Sequence, residues 1–212
     1  MMEVLGRCNF ISKAAYADYK KFRYLIRYCD LRKFPLPFST HSADAIYISN
    51  ALEHFSKDDA NRLCHEFFRI LKTGGVLRIV VPDLEILCRR YLESIALPLN
   101  ESLHERAIDD LFDQMVRKKS GGSQETEEKL SLAAHLKRLV GLEPTPERLG
   151  ELHLWMYDRF SLERLLRQAG FQTVKITDYQ TSNIPRFKDY YLDHNEDGSE
   201  YKKDMLYMEA VR

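Results

Sequence analysis

The sequence predicts an α/β domain built on a mostly parallel sheet, and three observations predict it. Ala43 to Ser49 is an almost continuous apolar run, as a parallel strand covered on both faces requires. Ala60, Leu63, Cys64, Phe67, Ile70 and Leu71 then fall on one helical stripe. Val76 to Val81 is a second apolar run, ended by Pro82. Strand, helix, glycine turn and strand make a βαβ unit, and ligands bind at the carboxyl edge of such sheets. The polar cluster Asn50, Glu53 and His54 follows the first strand of the unit, at that edge.

The 212 residues suit one domain, 1–212, with an inserted helical part at about 84–152. Apolar residues make up 44% and charged residues 30%, the balance of a water-soluble globular chain. Lys+Arg and Asp+Glu are equal at 32 each, so the total charge draws in neither nucleic acid nor an anionic membrane. The opening MMEVLGRCNF lacks the apolar run of a signal peptide, and no stretch is apolar for long enough to span a bilayer. Cys8, Cys29, Cys64 and Cys88 show neither CxxC nor Cys/His ligand spacing. They are expected to be reduced, mostly buried thiols, and the chain is expected to be cytoplasmic.

The elements follow in order. Short apolar runs at Glu3–Gly6 and Ala14–Tyr19, and the aromatic run Phe22–Leu31, are three candidate strands. Pro35 and Pro37 then force an extended loop. After the strand Ala43–Ser49, Ser56 caps a helix with Asp59 three residues on, and Asp58 and Asp59 complement its positive end. Gly74 and Gly75 are expected to stop that helix. In the insert, Leu103, Ala107, Leu111 and Met115 share one face, and Leu132, Leu136, Leu139 and Val140 share another. The polar run Lys118–Lys129 lies between them, and Glu143-Pro-Thr-Pro146 closes the region. Ser161 is expected to cap a late helix stopped by Gly170, followed by a strand over Phe171–Tyr179. A polar and aromatic loop over 180–204, with a turn at Asn195–Gly198, leads to a last strand at Met205–Val211.

Several spaced motifs now agree in order. They are LPF at Leu36–Phe38, D-x-x-Y-x-S-x-x-L-E-H-F at Asp44–Phe55, RILKTGG at Arg69–Gly75, LRIVVPD at Leu77–Asp83 and DRFSLERLLRQAGF at Asp158–Phe171. Together they resemble class I S-adenosylmethionine-dependent methyltransferases, in particular the type 11 methyltransferase-domain branch. The resemblance covers roughly residues 3–83 and 153–212. It implies a three-layer Rossmann-like fold with a seven-stranded, mostly parallel sheet, an antiparallel last strand and a helical insertion after the fifth strand.

The resemblance also implies S-adenosylmethionine as cofactor and methyl transfer as activity. The family's glycine loop falls on Gly6-Arg7-Cys8, where Gly6 matches the first glycine and Cys8 stands in place of the second. Asp18 falls where the family binds the ribose hydroxyls, Asp30 and Leu31 fall at the adenine-side turn, and Asn50 falls near the methionine end. His54 is the candidate proton acceptor for a substrate hydroxyl, and a role in orienting the loop or the helix start is equally open. His153, Trp155 and Tyr157 are candidates for the acceptor wall, or else a packed aromatic hinge. Phe187 to Tyr191 are candidates for shaping the acceptor pocket, or surface aromatics over the sheet edge. The partner expected is a small-molecule or sugar-type acceptor, with no nucleic acid and no membrane. No metal site is expected, because the seven histidines are scattered without metal spacing. Two other readings stay open: a methyltransferase-like binding or scaffold protein that no longer catalyses, favoured by Cys8, and a dinucleotide-dependent oxidoreductase, disfavoured because the chain has no G-x-G-x-x-G.

Overall fold

A computed structural model describes residues 29–96, 100–116 and 152–212. The chain divides into two units, Met1–Pro37 and Phe38–Arg212. Of the first unit, residues 29–37 are described, and they form a turn in which the Lys33 N–H donates to Asp30 O at 3.0 Å. The candidate strands Glu3–Gly6 and Ala14–Tyr19, most of Phe22–Leu31, and the insert from 117 to 151 lie outside the described residues.

The second unit begins with β1 (Ala43–Ser49), a 3₁₀ turn (Leu52–His54) and α1 (Lys57–Ile70). Strand β2 (Leu71–Pro82) then leads to α2 (Leu84–Ala96) and α3 (Glu101–Val116). Helix α4 (Arg159–Gln168), β3 (Thr173–Thr177) and β4 (Met205–Val211) complete it. The four described strands form one mixed sheet in the order β1-β2-β4-β3. β1 and β2 are parallel, and β4 runs antiparallel to both β2 and β3. The antiparallel last strand expected from the resemblance is therefore present.

Helix α1 forms for the reasons its sequence carries. The Ser56 hydroxyl oxygen accepts the Asp59 N–H at 3.1 Å, and Asp58 and Asp59 sit at the positive helix end. Ala60, Leu63, Cys64, Phe67 and Ile70 are all buried against the sheet. Burial pushes the Cys64 thiol up to about 12, which leaves it protonated and inert.

The end of α1 differs from the expectation. Leu71 turns to extended backbone and starts β2, so no glycine stops the helix. Ala43 pairs with Leu71 and Ala45 with Val76, so residues 72–75 bulge out of the ladder between them. Gly74 supplies the positive φ this bulge requires (φ +78°). At Gly75 the constraint is space, since a Cβ would lie 2.9 Å from Lys72 O and 3.2 Å from Asp44 O.

Helix α4 is also capped one step earlier than expected. Asp158, not Ser161, is the N-cap: its carboxylate accepts the Ser161 N–H at 2.6 Å, and the Ser161 hydroxyl accepts the Asp158 N–H at 3.0 Å. The pair is a reciprocal capping box with the usual donor and acceptor types exchanged between its ends. Gly170 closes the helix at φ +110° with the Phe68 ring against it, as the sequence suggests. The following strand is shorter than the expected Phe171–Tyr179, because Phe171 is buried beside Phe68 and Asp178 turns the chain. The expected turn at Asn195–Gly198 forms, with the Gly198 N–H donating to Asn195 O at 3.0 Å.

Among the described strands β2 from Val76 on and β4, not β1, are the covered ones. Residues 76–82 of β2 are all buried, whereas β1 is mostly half-buried. The stripe expected on α3 is only partly covered: Ala107 is buried, but Leu103 and Met115 are exposed. Arg90 of α2 reaches Asp110 of α3 at 2.9 Å and grips both oxygens of Asp204 at 2.8 Å, which ties the two helices to the start of β4.

The centre of the sheet holds an arginine. Arg78 of β2 has no solvent exposure and is met from every side. It donates to Asp193 at 2.6 Å, Glu209 at 3.0 Å, Thr177 at 2.9 Å and the carbonyl oxygens of Asp178 (2.7 Å) and Thr181 (3.0 Å). Its guanidinium also stacks on the Phe187 ring, 4.5 Å from the centroid. Glu209 is its register partner on β4 and accepts the Asn183 N–H at 2.9 Å and the Ser182 hydroxyl. Asp193 also accepts from the Tyr47 hydroxyl of β1 at 2.6 Å. Tyr47 is thereby held as a neutral phenol, its pKa raised first by burial and then by the Asp193 carboxylate.

Arg78→Met leaves the Asp193 and Glu209 carboxylates buried without their cation, and it should cost about 3–5 kcal/mol of stability. A lowered denaturant midpoint checks this; an unchanged midpoint contradicts it. Asp158→Ala removes an N-cap and should cost about 1 kcal/mol at neutral pH. Partial burial pushes the Asp158 carboxyl up, but the hydrogen bonds from Ser161 outweigh it and the net pKa is lowered. The cap therefore stabilises above the ordinary value of 3.8 and is lost as pH falls through the lower folded value. Stability curves of wild type and Asp158→Ala should converge in acid.

Candidate active site

Strands β1 and β2 are parallel and end together, at Ser49 and Pro82. The chain leaving β1 must turn sharply, and Asn50 does so in the left-handed region (φ +48°). Its N–H is tied to Val80 O at 2.9 Å. Its side-chain amide donates to the Ser49 hydroxyl at 2.9 Å, and its Oδ1 accepts from Lys202. Asn50 therefore sits at the carboxyl edge of the parallel pair, where ligands of α/β sheets bind.

A strap crosses this edge. Residues 152–157 run from the 3₁₀ turn after β1 to the end of β2. The N–H groups of Leu154 and Trp155 donate to Glu53 O at 2.8 and 3.2 Å. At the other end, Asp83 bridges to Tyr157, and the Leu84 N–H donates to Tyr157 O at 3.0 Å. The candidate wall residues His153, Trp155 and Tyr157 all lie on this strap, although about one hundred residues separate them from His54.

Three side chains converge beneath the strap. The Glu53 side chain is 1% exposed, His153 3% and His54 17%. His54 Nε2 lies 4.0 Å and His153 Nε2 3.9 Å from Glu53 Oε1. The two imidazoles meet edge-on, with centroids 4.8 Å apart. Each ring is anchored by its other nitrogen: His54 Nδ1 on Leu152 O at 3.0 Å, and His153 Nδ1 on Gln114 O of α3 at 2.5 Å. The ligand atoms of all three side chains lie within 4.8 Å of one another, a separation from which they could hold a metal ion. Spacing along the chain gave no hint of this cluster, because its second histidine arrives through the fold.

Tyr157 is nearly buried, and its pKa is raised, first by burial and then by the nearby Cys64 and Glu53. It stays a neutral phenol across the physiological range and works by packing. Trp155 is partly exposed and carries Lys57 Nζ 3.5 Å above its ring. Both line a cleft of about 200 Å³ with Lys57, Asn61, Ser161 and Arg164, between the first turn of α1 and α4. That volume is below the roughly 300–1,000 Å³ of a site that encloses a whole drug-sized ligand, so the cleft suits a small polar fragment.

Phe187 is buried, stacked on Arg78 and in contact with the His194 ring at 6.3 Å, so it packs over the sheet. Tyr190 and Tyr191 are exposed. The remaining cofactor candidates divide between the two units. Gly6, Cys8 and Asp18 lie outside the described residues. Asp30 and Leu31 stand in the turn of the first unit, where Asp30 Oδ1 accepts the Arg32 N–H at 3.1 Å. That hydrogen bond, reinforced by the charges of Arg32 and Lys33, holds the Asp30 carboxyl below its ordinary range. Of the three cysteines among the described residues, Cys64 is buried, Cys29 is partly exposed and Cys88 is exposed, all as free thiols, so buried thiols are not the rule among these three. Among the described residues no helix is long and apolar enough to cross a membrane.

Residues 9–79 match the family model described as a methyltransferase domain. No curated protein matches the chain. Among solved structures, the chain is similar to an S-adenosylmethionine-dependent methyltransferase from Thermotoga maritima, with 18% identity over 84% of this chain and 59% of that one, at a TM-score of 0.39. It is similar to an S-adenosylmethionine-dependent methyltransferase from Archaeoglobus fulgidus, with 11% identity over 82% of this chain and 62% of that one, at 0.37. It is also similar to phosphoethanolamine N-methyltransferase 2 of Haemonchus contortus, with 11% identity over 93% of this chain and 41% of that one, at 0.41. The chain thus spans less than two thirds of the length of each of these structures. The family match agrees with the resemblance read from the motifs over residues 9–79. What the comparisons show for this chain is thus a methyltransferase-domain match over residues 9–79.

Proposed function

We propose that this protein, working as one domain with a helical insert, transfers a methyl group from S-adenosylmethionine to a small-molecule or sugar-type acceptor in the cytoplasm. The observation that carries this reading is the methyltransferase-domain match over residues 9–79. The described residues suit the cofactor by their chemistry. Asp30 is a carboxylate at the start of a turn, held below its ordinary pKa range and able to accept the hydrogens of an adenine amino group. Asn50 offers an amide at the carboxyl edge of β1. By resemblance, Asp18 would accept the ribose hydroxyls, Leu31 would present its backbone N–H to the adenine ring, and Gly6 would lie close to the methionine part.

When bound, S-adenosylmethionine supplies an activated methyl group on a cationic sulfur, with a neutral leaving group. The protein's own work is then to hold the acceptor in line and to keep water away. The strap residues Trp155 and Tyr157 and the exposed Lys57 provide a wall of aromatic faces and one cation for a small acceptor. An acceptor that must lose a proton has His54 as its candidate base. Since Nδ1 is engaged by Leu152 O, the proton would move to Nε2, and the Glu53 carboxylate beside it would stabilise the imidazolium.

A methyltransferase-like binding protein without catalysis is the second reading, and Cys8 in the place of a glycine favours it. Calorimetry with S-adenosylmethionine and S-adenosylhomocysteine separates the two. Binding is expected, and Asp30→Ala should weaken it about tenfold or more, the worth of one charge-assisted hydrogen bond. Absence of heat at millimolar cofactor rejects the enzyme. A Cys8→Gly variant that binds more tightly would show that the loop is crowded but still in use.

A further inference from the structure

We propose that Glu53, His54 and His153 form a binding site for one divalent transition-metal ion of the zinc type, which nothing in the motif pattern of this chain assigns. The first argument is convergence. Two imidazole Nε2 atoms approach the same carboxylate oxygen at 3.9 and 4.0 Å, in a place where Glu53 and His153 are almost wholly buried. The second is tautomer control. Leu152 O and Gln114 O are carbonyl oxygens, which only accept, so both Nδ1 atoms carry their protons. In the neutral rings the lone pairs are then on Nε2, the atoms that face Glu53. A ligating histidine is usually fixed in this way, with its far nitrogen donating to a backbone carbonyl.

The third argument is donor chemistry. Two imidazoles and one carboxylate suit zinc and its neighbours, and three protein ligands leave one position open for water or a substrate oxygen. With metal–ligand bonds of about 2.0–2.2 Å, tetrahedral ligand atoms stand about 3.4 Å apart. The three ligand atoms now lie within 4.8 Å of one another, so side-chain rotations of roughly 1 Å close the site. The backbone is already braced for this, because Glu53 O holds the strap through Leu154 and Trp155.

This site does not depend on methyl transfer. A bound ion would take the Nε2 lone pair of His54, so its roles as ligand and as base exclude each other while the ion is present.

The test uses the full chain, stripped with chelator and free of S-adenosylmethionine, titrated with Co²⁺ and followed by visible absorption. One ion per chain is expected, with a tetrahedral-type spectrum, no thiolate charge-transfer band, and displacement by Zn²⁺. Glu53→Gln and His153→Ala should each abolish the spectrum, and His65→Ala, outside the cluster, should keep it. On the wild-type chain, two imidazole Nδ1–H resonances should shift with Co²⁺, a readout that needs no variant to fold. Lack of stoichiometric uptake, a thiolate band, or an unchanged spectrum in both cluster variants would overturn the site.

Discussion

The buried ion network around Arg78 is the constraint on which the second unit depends. A guanidinium at the centre of a sheet is tolerable only when each of its donors is matched. Here the matching groups come from β3, β4 and the loop 178–193, while Tyr47 of β1 binds one of the same carboxylates. The loop is therefore not free to settle elsewhere. A placement that withdrew Asp193 or the carbonyl oxygens of Asp178 and Thr181 would leave donors of Arg78 buried and unmatched. Specificity of placement, rather than net stability, is what such a network provides.

With the loop fixed, the carboxyl edge of β1 and β2 is framed on both sides. On one side Lys202, from the segment between that loop and β4, reaches Asn50. On the other, the strap 152–157 bonds to Glu53 O and to the end of β2. The strap brings aromatic side chains and a second histidine to an edge that β1 alone would furnish with only Asn50, Glu53 and His54. Burial under the strap is also what gives the Glu53–His54–His153 group its chemical interest, since charges and lone pairs interact more strongly away from water.

Much of this was legible along the chain. The Ser56 cap and the α1 stripe needed only local rules, because a helix buries one face of a periodic pattern. The antiparallel last strand followed from the resemblance. The misreadings were local competitions as well. Asp158 won the cap from Ser161 because both residues can serve and the backbone decides which lies outside the helix. Gly74 and Gly75 serve a bulge rather than a helix stop because Leu71 could already extend. Arg78 carried a signal that passed unused: a lone arginine inside an apolar strand has to be paired somewhere.

The sequence by itself determined the α/β class, the βαβ unit, the late helix and the last strand among the described residues, and the methyltransferase-domain match over residues 9–79, because periodicity, caps and spaced motifs act over a few residues. Only the tertiary structure decided who meets whom. His153 and His54 are ninety-nine positions apart, and Arg78 and Glu209 are one hundred and thirty-one apart. No rule of spacing reaches that far, since such pairs are made by strand order and by the path of a strap across a sheet edge.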